Sequence, residues 1–215
     1  MLDLIAQEKF ELEVLDLFNS YKVTNDLVFG GGTMLRLCWG LNRFSVDLDF
    51  WLLNDVETGN LFKRISGLFQ DRYRIVDAAD KFYTLLFEIK SEIYPRSLKV
   101  EIRKEKKKIR VEKSIAYSKF TDRQVILNTV SLNDMLVSKI DALLDRKEIR
   151  DVFDIEFLIK KGIKADIIAE KSQAIVRILD SFAAKDYSVT LGSLLDPVER
   201  KYYTKENFKI LRASL

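Results

Sequence analysis

The sequence predicts an α+β (α/β-like) protein in which a mixed β-sheet lobe with packed helices precedes a helical C-terminal lobe. Three observations predict it. The patterns of the first half run helix, strand, helix, acidic strand, helix and further strands. Aromatic and β-branched residues concentrate between residues 73 and 102. From Ser131 onward the apolar residues fall into helical stripes alone. The lobes are placed at residues 1–128 and 129–215. A chain of 215 residues can bury a substantial core, and the lack of repeats or low-complexity linkers predicts that the tail packs closely on the first half.

Residues 6–20 carry Phe10, Leu12, Leu15, Leu17 and Phe18 among polar residues, an imperfect helical pattern. Asp26 to Gly30 forms a short strand entering a glycine-rich turn. Met34, Leu35, Leu37, Cys38 and Trp39 make a short, largely buried helix over 33–39, which Gly40 ends. Residues 41–46 turn toward the acidic strand 47–52. A helix follows over 57–69, apolar at Leu61, Phe62, Ile65, Leu68 and Phe69. Strands are expected at 73–76, 82–89 and 98–102. Residues 115–130 give a weaker pattern, with room for another short strand and the crossing between lobes. Ser131 to Asp134 is a helix entrance, and a second helix spans 151–160 up to Gly162. Residues 164–182 and 205–213 supply later helices, and Pro197 marks a break in the connection.

Lys and Arg number 36 against 33 Asp and Glu, and a formal charge of +3 by itself implies no nucleic-acid partner. Its distribution is more informative. Residues 96–113 hold nine basic side chains and three acidic ones, so Arg103, Lys106, Lys107, Lys108 and Arg110 are candidates for an RNA-facing surface, with a solvated lysine-rich connection as the alternative. The lone Cys38 excludes an intramolecular disulfide, fits a reducing compartment and reads as core packing. No apolar run reaches the roughly 18 residues of a membrane span, and the acidic start lacks a signal peptide's basic flank. A cytoplasmic protein without a membrane partner is expected. With no histidine in the chain, magnesium or manganese on carboxylates is favoured over histidine-bound zinc.

Asp47-Leu48-Asp49 is the strongest chemical signal. On a strand both carboxylates point to one face while Leu48, Phe50 and Leu52 pack on the other. Two like charges set among apolar residues need a compensating charge, and a divalent ion holding nucleotide phosphates supplies it. Glu101, alternating in its own strand, is the candidate third carboxylate, with Glu88 and Glu92 as competitors and a plain surface pairing of Glu101 with Lys99 or Arg103 as the alternative. Gly30, Gly31 and Gly32 strip side chains from a turn whose amides could cradle phosphate, with Thr33 adding a hydroxyl; a plain tight turn is the alternative. This is neither a Walker loop nor a dinucleotide fingerprint. Lys139 and Arg146 lie near one helix face, and Arg150, Asp151 and Asp154 open the next helix. That spacing serves a phosphate-binding Lys139, with Asp151 or Asp154 fixing Arg146, or else a salt-bridge network joining two helices. Arg36 and Arg43 flank the glycine turn and the acidic strand, placed to neutralise phosphate or anchor the loop before Asp47.

The strings GGTMLR (31–36), RFSVDLDF (43–50), KIDALLDR (139–146) and RDVFDI (150–155) together resemble the AbiEii nucleotidyltransferase toxin family, the toxin side of bacterial toxin–antitoxin and phage-defence systems. The resemblance covers roughly residues 25–160. It implies a nucleotidyltransferase fold, Asp47 and Asp49 on magnesium, and Gly31, Gly32 and Thr33 touching phosphate. It also implies nucleotide contacts by Lys139 and a role for Asp151 or Asp154. The implied reaction moves a nucleoside monophosphate from a nucleoside triphosphate to an acceptor, in some members the end of transfer RNA. Glu101 would activate the acceptor, and a cognate antitoxin would oppose toxicity. A noncatalytic nucleotide-binding protein, a protein acting through antitoxin or nucleic-acid contacts, and a hydrolase using water as acceptor fit the same residues.

Overall fold

The computed structural model describes residues 2–163 and 166–215. The chain divides into two compact units, one of residues 1–40 and 44–130, the other of residues 41–43 and 131–215. Arg43 therefore belongs to the second unit, although the sequence boundary at 128 places it in the first lobe.

The first unit is built on a seven-stranded sheet in the order β3-β4-β5-β2-β1-β7-β6. The strands are β1 (Leu27–Gly30), β2 (Asp47–Leu52), β3 (Arg74–Asp80), β4 (Thr84–Lys90), β5 (Leu98–Arg103), β6 (Val111–Tyr117) and β7 (Gln124–Val130). Three helices accompany them: α1 (Leu2–Ser20), α2 (Gly31–Trp39) and α3 (Thr58–Gln70). β2 lies centrally, antiparallel to β1 and parallel to β5, so the sheet is mixed. Strict alternation sets its faces. Leu98, Val100 and Ile102 are fully buried while Lys99, Glu101 and Arg103 turn outward. On the buried face Phe18 of α1 packs 5.9 Å from Phe50 of β2 and 5.5 Å from Phe69 of α3. The imperfect helical stripe of α1 has a cause: Gln7, Glu8 and Glu11 are buried among its apolar residues.

Local chemistry sets the boundaries. Gly40 ends α2 at a φ of 77°, and the Glu57 carboxylate caps α3 by accepting the amides of Gly59 and Asn60. Two expectations change. Phe82 and Tyr83 are not strand residues; they form the exposed turn between β3 and β4. The weak pattern over 115–130 resolves into the β6–β7 hairpin, with Ile115 opposite Ile126. β6 is an edge strand whose Val111, Ile115 and Tyr117 are exposed, so it shows no buried period.

The second unit is helical: α4 (Leu132–Arg146), α5 (Ile149–Lys160), α6 (Asp166–Ser181), α7 (Pro197–Glu206) and α8 (Lys209–Ser214). The expected start of α6 at 164 and 165 lies outside the described residues. Ser131 caps α4 by accepting the Asp134 amide at 3.2 Å. Pro197 does not break a connection. It occupies the first turn of α7, where no amide hydrogen is needed, and Asp196 caps that turn. Buried Glu156 of α5 accepts the amides of Ile210 and Leu211, both at 3.0 Å, and so holds the start of α8. Residues 41–43 are fastened within this unit by Asn42 to Glu199 at 3.1 Å and by a bridge from Arg43 to Leu195. Among the described residues no helix is long and apolar enough to cross a membrane.

Gly30 has extended backbone, so its need for glycine is spatial: a β-carbon there would overlap the indole of Trp51. Gly30→Ala is expected to cost about 1–3 kcal/mol by overpacking, measured as a lowered urea midpoint at unchanged slope.

Candidate active site

The acidic side chains lie on the outward face of the first unit's sheet, in register across three strands. Asp47 stands opposite Lys99, and Asp49 opposite Glu101, in the parallel β2–β5 pair. Glu88 of β4 lies opposite Lys99 in the next pair. Asp47 and Asp49 are half-buried while Leu48 and Phe50 are closed off beneath them. The turn preceding α2 runs directly against this row. Gly30 pairs with Asp49, and Gly31, at a φ of 74°, leaves no room for a β-carbon beside the Asp49 Oδ2 atom. Thr33 is fully buried, and its hydroxyl donates to the Asp47 carbonyl at 2.6 Å, binding the first turn of α2 to the start of β2.

Glu101 is engaged by Lys99 at 2.5 Å. The hydrogen bond to Glu101 raises the Lys99 pKa above the usual lysine value, and the negative charges of Asp47 and Asp49 add to the effect. Among the described residues no three acidic side chains are gathered closely enough to enclose an ion as they stand. The donor set nevertheless suits magnesium or manganese, which keep several waters and need only one or two carboxylates alongside substrate phosphates. Asp47 and Asp49 are the residues that would provide those oxygens, and Glu101 lies across from Asp49. Of the competitors, Glu88 accepts the Ser97 hydroxyl at 2.5 Å, and Glu92 is exposed in the turn between β4 and β5.

Sequence reasoning missed the support beneath this row. Gln7 of α1 donates to the carbonyls of Val46 and Ser97, both at 3.3 Å, and so braces the entries to β2 and β5. Glu8 is held by Arg36 and by the Ser118 hydroxyl. Arg36 also lies 3.9 Å above the Phe44 ring. Glu11 is fully buried, and neither of its carboxylate oxygens has a hydrogen-bond partner among the described residues. Burial pushes its pKa well above the ordinary value; Glu8 and Asp47 add to the rise and Arg36 opposes it. The signal available in the sequence was three polar residues on the apolar side of a helix.

The second unit holds a buried charge network. Asp154 receives Arg43 through two bonds of 2.7 Å and Lys139 at 2.7 Å. Asp151 receives Arg146 through two bonds of 2.7 Å and Lys139 at 3.2 Å. Both aspartates are fully buried. Burial raises the Asp154 pKa, but Arg43 and Lys139 outweigh it and hold the carboxyl below the usual aspartate value. Three cations meet two anions, and Arg146 is the member whose side chain reaches the surface, at 41% exposure. Arg150 pairs instead with Glu148 at 2.5 Å. The basic candidates are on the first unit: Arg103 ends β5, and Lys106, Lys107, Lys108 and Arg110 occupy the connection to β6. Lys106 pairs there with Asp55.

Because the folded pKa of Glu11 is raised, the group favours folding below its unfolded value of 4.5, and that contribution is lost as pH climbs toward the folded value. Glu11→Met removes both oxygens. Its thermal stability relative to the native chain is expected to rise by a few degrees at neutral pH and to converge with it near pH 4, as measured by calorimetry across that range.

The chain spans a structure of JHP933 from Helicobacter pylori with a TM-score of 0.60 at 20% identity, covering 98% of this chain and 93% of that one. A second H. pylori structure, of a protein assigned as a nucleotidyltransferase, matches with a TM-score of 0.59 at 20% identity, over 96% and 95% of the two chains. At this identity the likeness establishes the fold. No match is found among curated proteins. The model of the AbiEii nucleotidyl transferase toxins of Type IV toxin–antitoxin systems matches residues 16–212, nearly the whole chain, and the protein belongs to that family of nucleotidyltransferases.

Proposed function

We propose that this toxin is a magnesium- or manganese-dependent enzyme that moves a nucleoside monophosphate from a nucleoside triphosphate to an acceptor hydroxyl on RNA, with the end of a transfer RNA as the leading case. The observation that carries the reading is the single outward row of Asp47, Asp49 and Glu101, with the bare backbone of Gly31 against Asp49. A divalent ion held by Asp47 and Asp49 would supply Lewis-acid charge to the triphosphate. The acceptor oxygen attacks the α-phosphorus in line, its bond to phosphorus forms, and the bond to the departing pyrophosphate breaks. Glu101 takes the acceptor proton, and Lys99 holds its carboxylate in place. The amides of Gly31 and Gly32 face phosphate oxygen at the start of α2, while Thr33 acts through the Asp47 backbone. In the second unit Lys139 is buried between Asp151 and Asp154, and Arg146, the network's surface member, is its candidate contact for phosphate. Asp151 and Asp154 fix them and Arg43 in position.

Membership of a toxin–antitoxin family implies an antitoxin, and the proposed setting is the cytoplasm, where nucleoside triphosphates, RNA and phage nucleic acid meet.

Asp49→Ala is expected to reduce transfer of α-labelled nucleotide to total RNA by a factor of about 100 or more while the circular-dichroism spectrum stays folded; undiminished transfer would reject the assignment. Pyrophosphate released without labelled RNA or protein would identify water as the acceptor. Neutralising Lys106, Lys107 and Lys108 together is expected to flatten the dependence of log affinity on log salt by about 2 for single-stranded RNA. Equal salt slopes would remove this connection from the RNA surface.

A further inference from the structure

The tip of the β3–β4 hairpin presents two large aromatic side chains to solvent, Phe82 at 83% and Tyr83 at 73% exposure, with their rings 4.6 Å apart and edge to face. Burial would have favoured both rings, yet the turn holds them out. Lys81 donates its amide to the Thr84 carbonyl at 2.9 Å, closing the turn. Lys104 donates its amide to the Tyr83 carbonyl at 3.0 Å, fixing the tip to the end of β5.

The register connects this tip to the acidic row. Trp51, Arg103 and Thr84 form the next rank on the same outward face, one residue pair beyond Asp49 and Glu101. Arg103 is therefore about 7 Å along the strand from Glu101, and Tyr83 adjoins Thr84 at the end of that rank. The Arg103 guanidinium lies 5.8 Å from the Trp51 ring. Around the tip the charge is strongly positive: residues 103–110 hold six basic side chains and one acidic, and Lys81 precedes Phe82. Asp80 pairs with Lys104, and Asp55 with Lys106.

Exposed rings tied to a basic stretch of chain match an unpaired nucleic-acid strand, whose bases stack on rings while its phosphates meet lysine and arginine. Two rings among so many charges make a poor apolar interface for a folded protein. We propose that Phe82 and Tyr83 stack unpaired bases of the acceptor strand while Arg103 and the connection after it hold its phosphates, leading the strand's end to Glu101. This inference rests on the nucleotidyltransferase reading above and names the single-stranded character of its acceptor.

The test is the double variant Phe82→Ala, Tyr83→Ala in the full chain, whose exposed positions leave the core unchanged. Fluorescence anisotropy is measured with a labelled single-stranded RNA of about ten nucleotides, with the same sequence as a duplex, and with a fluorescent nucleoside triphosphate. The expected result is about tenfold weaker single-strand binding, with duplex and triphosphate affinities unchanged and an acceptor KM raised by a similar factor. Unchanged single-strand affinity, or an equal loss for duplex and single strand, overturns the proposal. If the native chain labels RNA but the variant binds it normally, only this inference falls. If the native chain ignores RNA and labels protein, the RNA acceptor reading falls with it.

Discussion

The candidate site depends on the closeness with which the backbone at Gly30 and Gly31 passes over β2. Trp51 occupies the space above Gly30, and Asp49 the space beside Gly31. Any other residue at Gly31 would combine an unfavourable positive φ with a β-carbon driven into the Asp49 carboxylate. The buried Thr33 hydroxyl then ties the helix to the carbonyl of Asp47. One short turn thus aligns a helix N-terminus, whose amides attract anions, with two carboxylates that attract cations. A nucleoside triphosphate with its metal would combine both requirements, which is the part the proposed function gives to this turn.

Charge burial is handled in two different ways. In the second unit Asp151 and Asp154 are fully buried, yet each accepts several charge-assisted bonds from two cationic side chains, which offset the cost of its burial. In the first unit Glu11 is equally buried and has no such bonds. Its burial is tolerable because the group can take up a proton, and its neighbours Glu8 and Asp47 favour that form. Protonation there would spare the acidic strand a further full negative charge from below.

Much of the site was legible because it depends on short-range patterns. Alternation placed Asp47 and Asp49 on one face, and the same alternation in β5 made Glu101 the outward carboxylate, which the register sets opposite Asp49. The glycine turn and Gly40 were legible because few residues accept such backbone. What escaped notice depends on distant partners. Gln7 and Glu11 disturb the stripe of α1 for reasons found only at Val46, Ser97 and Asp47. The pairing of Lys99 with Glu101, by contrast, was legible as an alternative role for Glu101 because the two residues are neighbours on one face of β5. β6 has exposed apolar residues, so its sequence lacks the period that reveals an interior strand.

The three residues Leu41–Arg43 belong to the helical unit while the chain on either side of them belongs to the sheet. The helical half is for that reason not a transplantable module. Cut out as residues 131–215, it would lose the guanidinium that clasps Asp154 through two bonds, leaving that carboxylate with Lys139 alone. Recombination between relatives would have to exchange the short segment before the acidic strand together with the distant tail, so the two stretches are expected to be inherited as a linked pair.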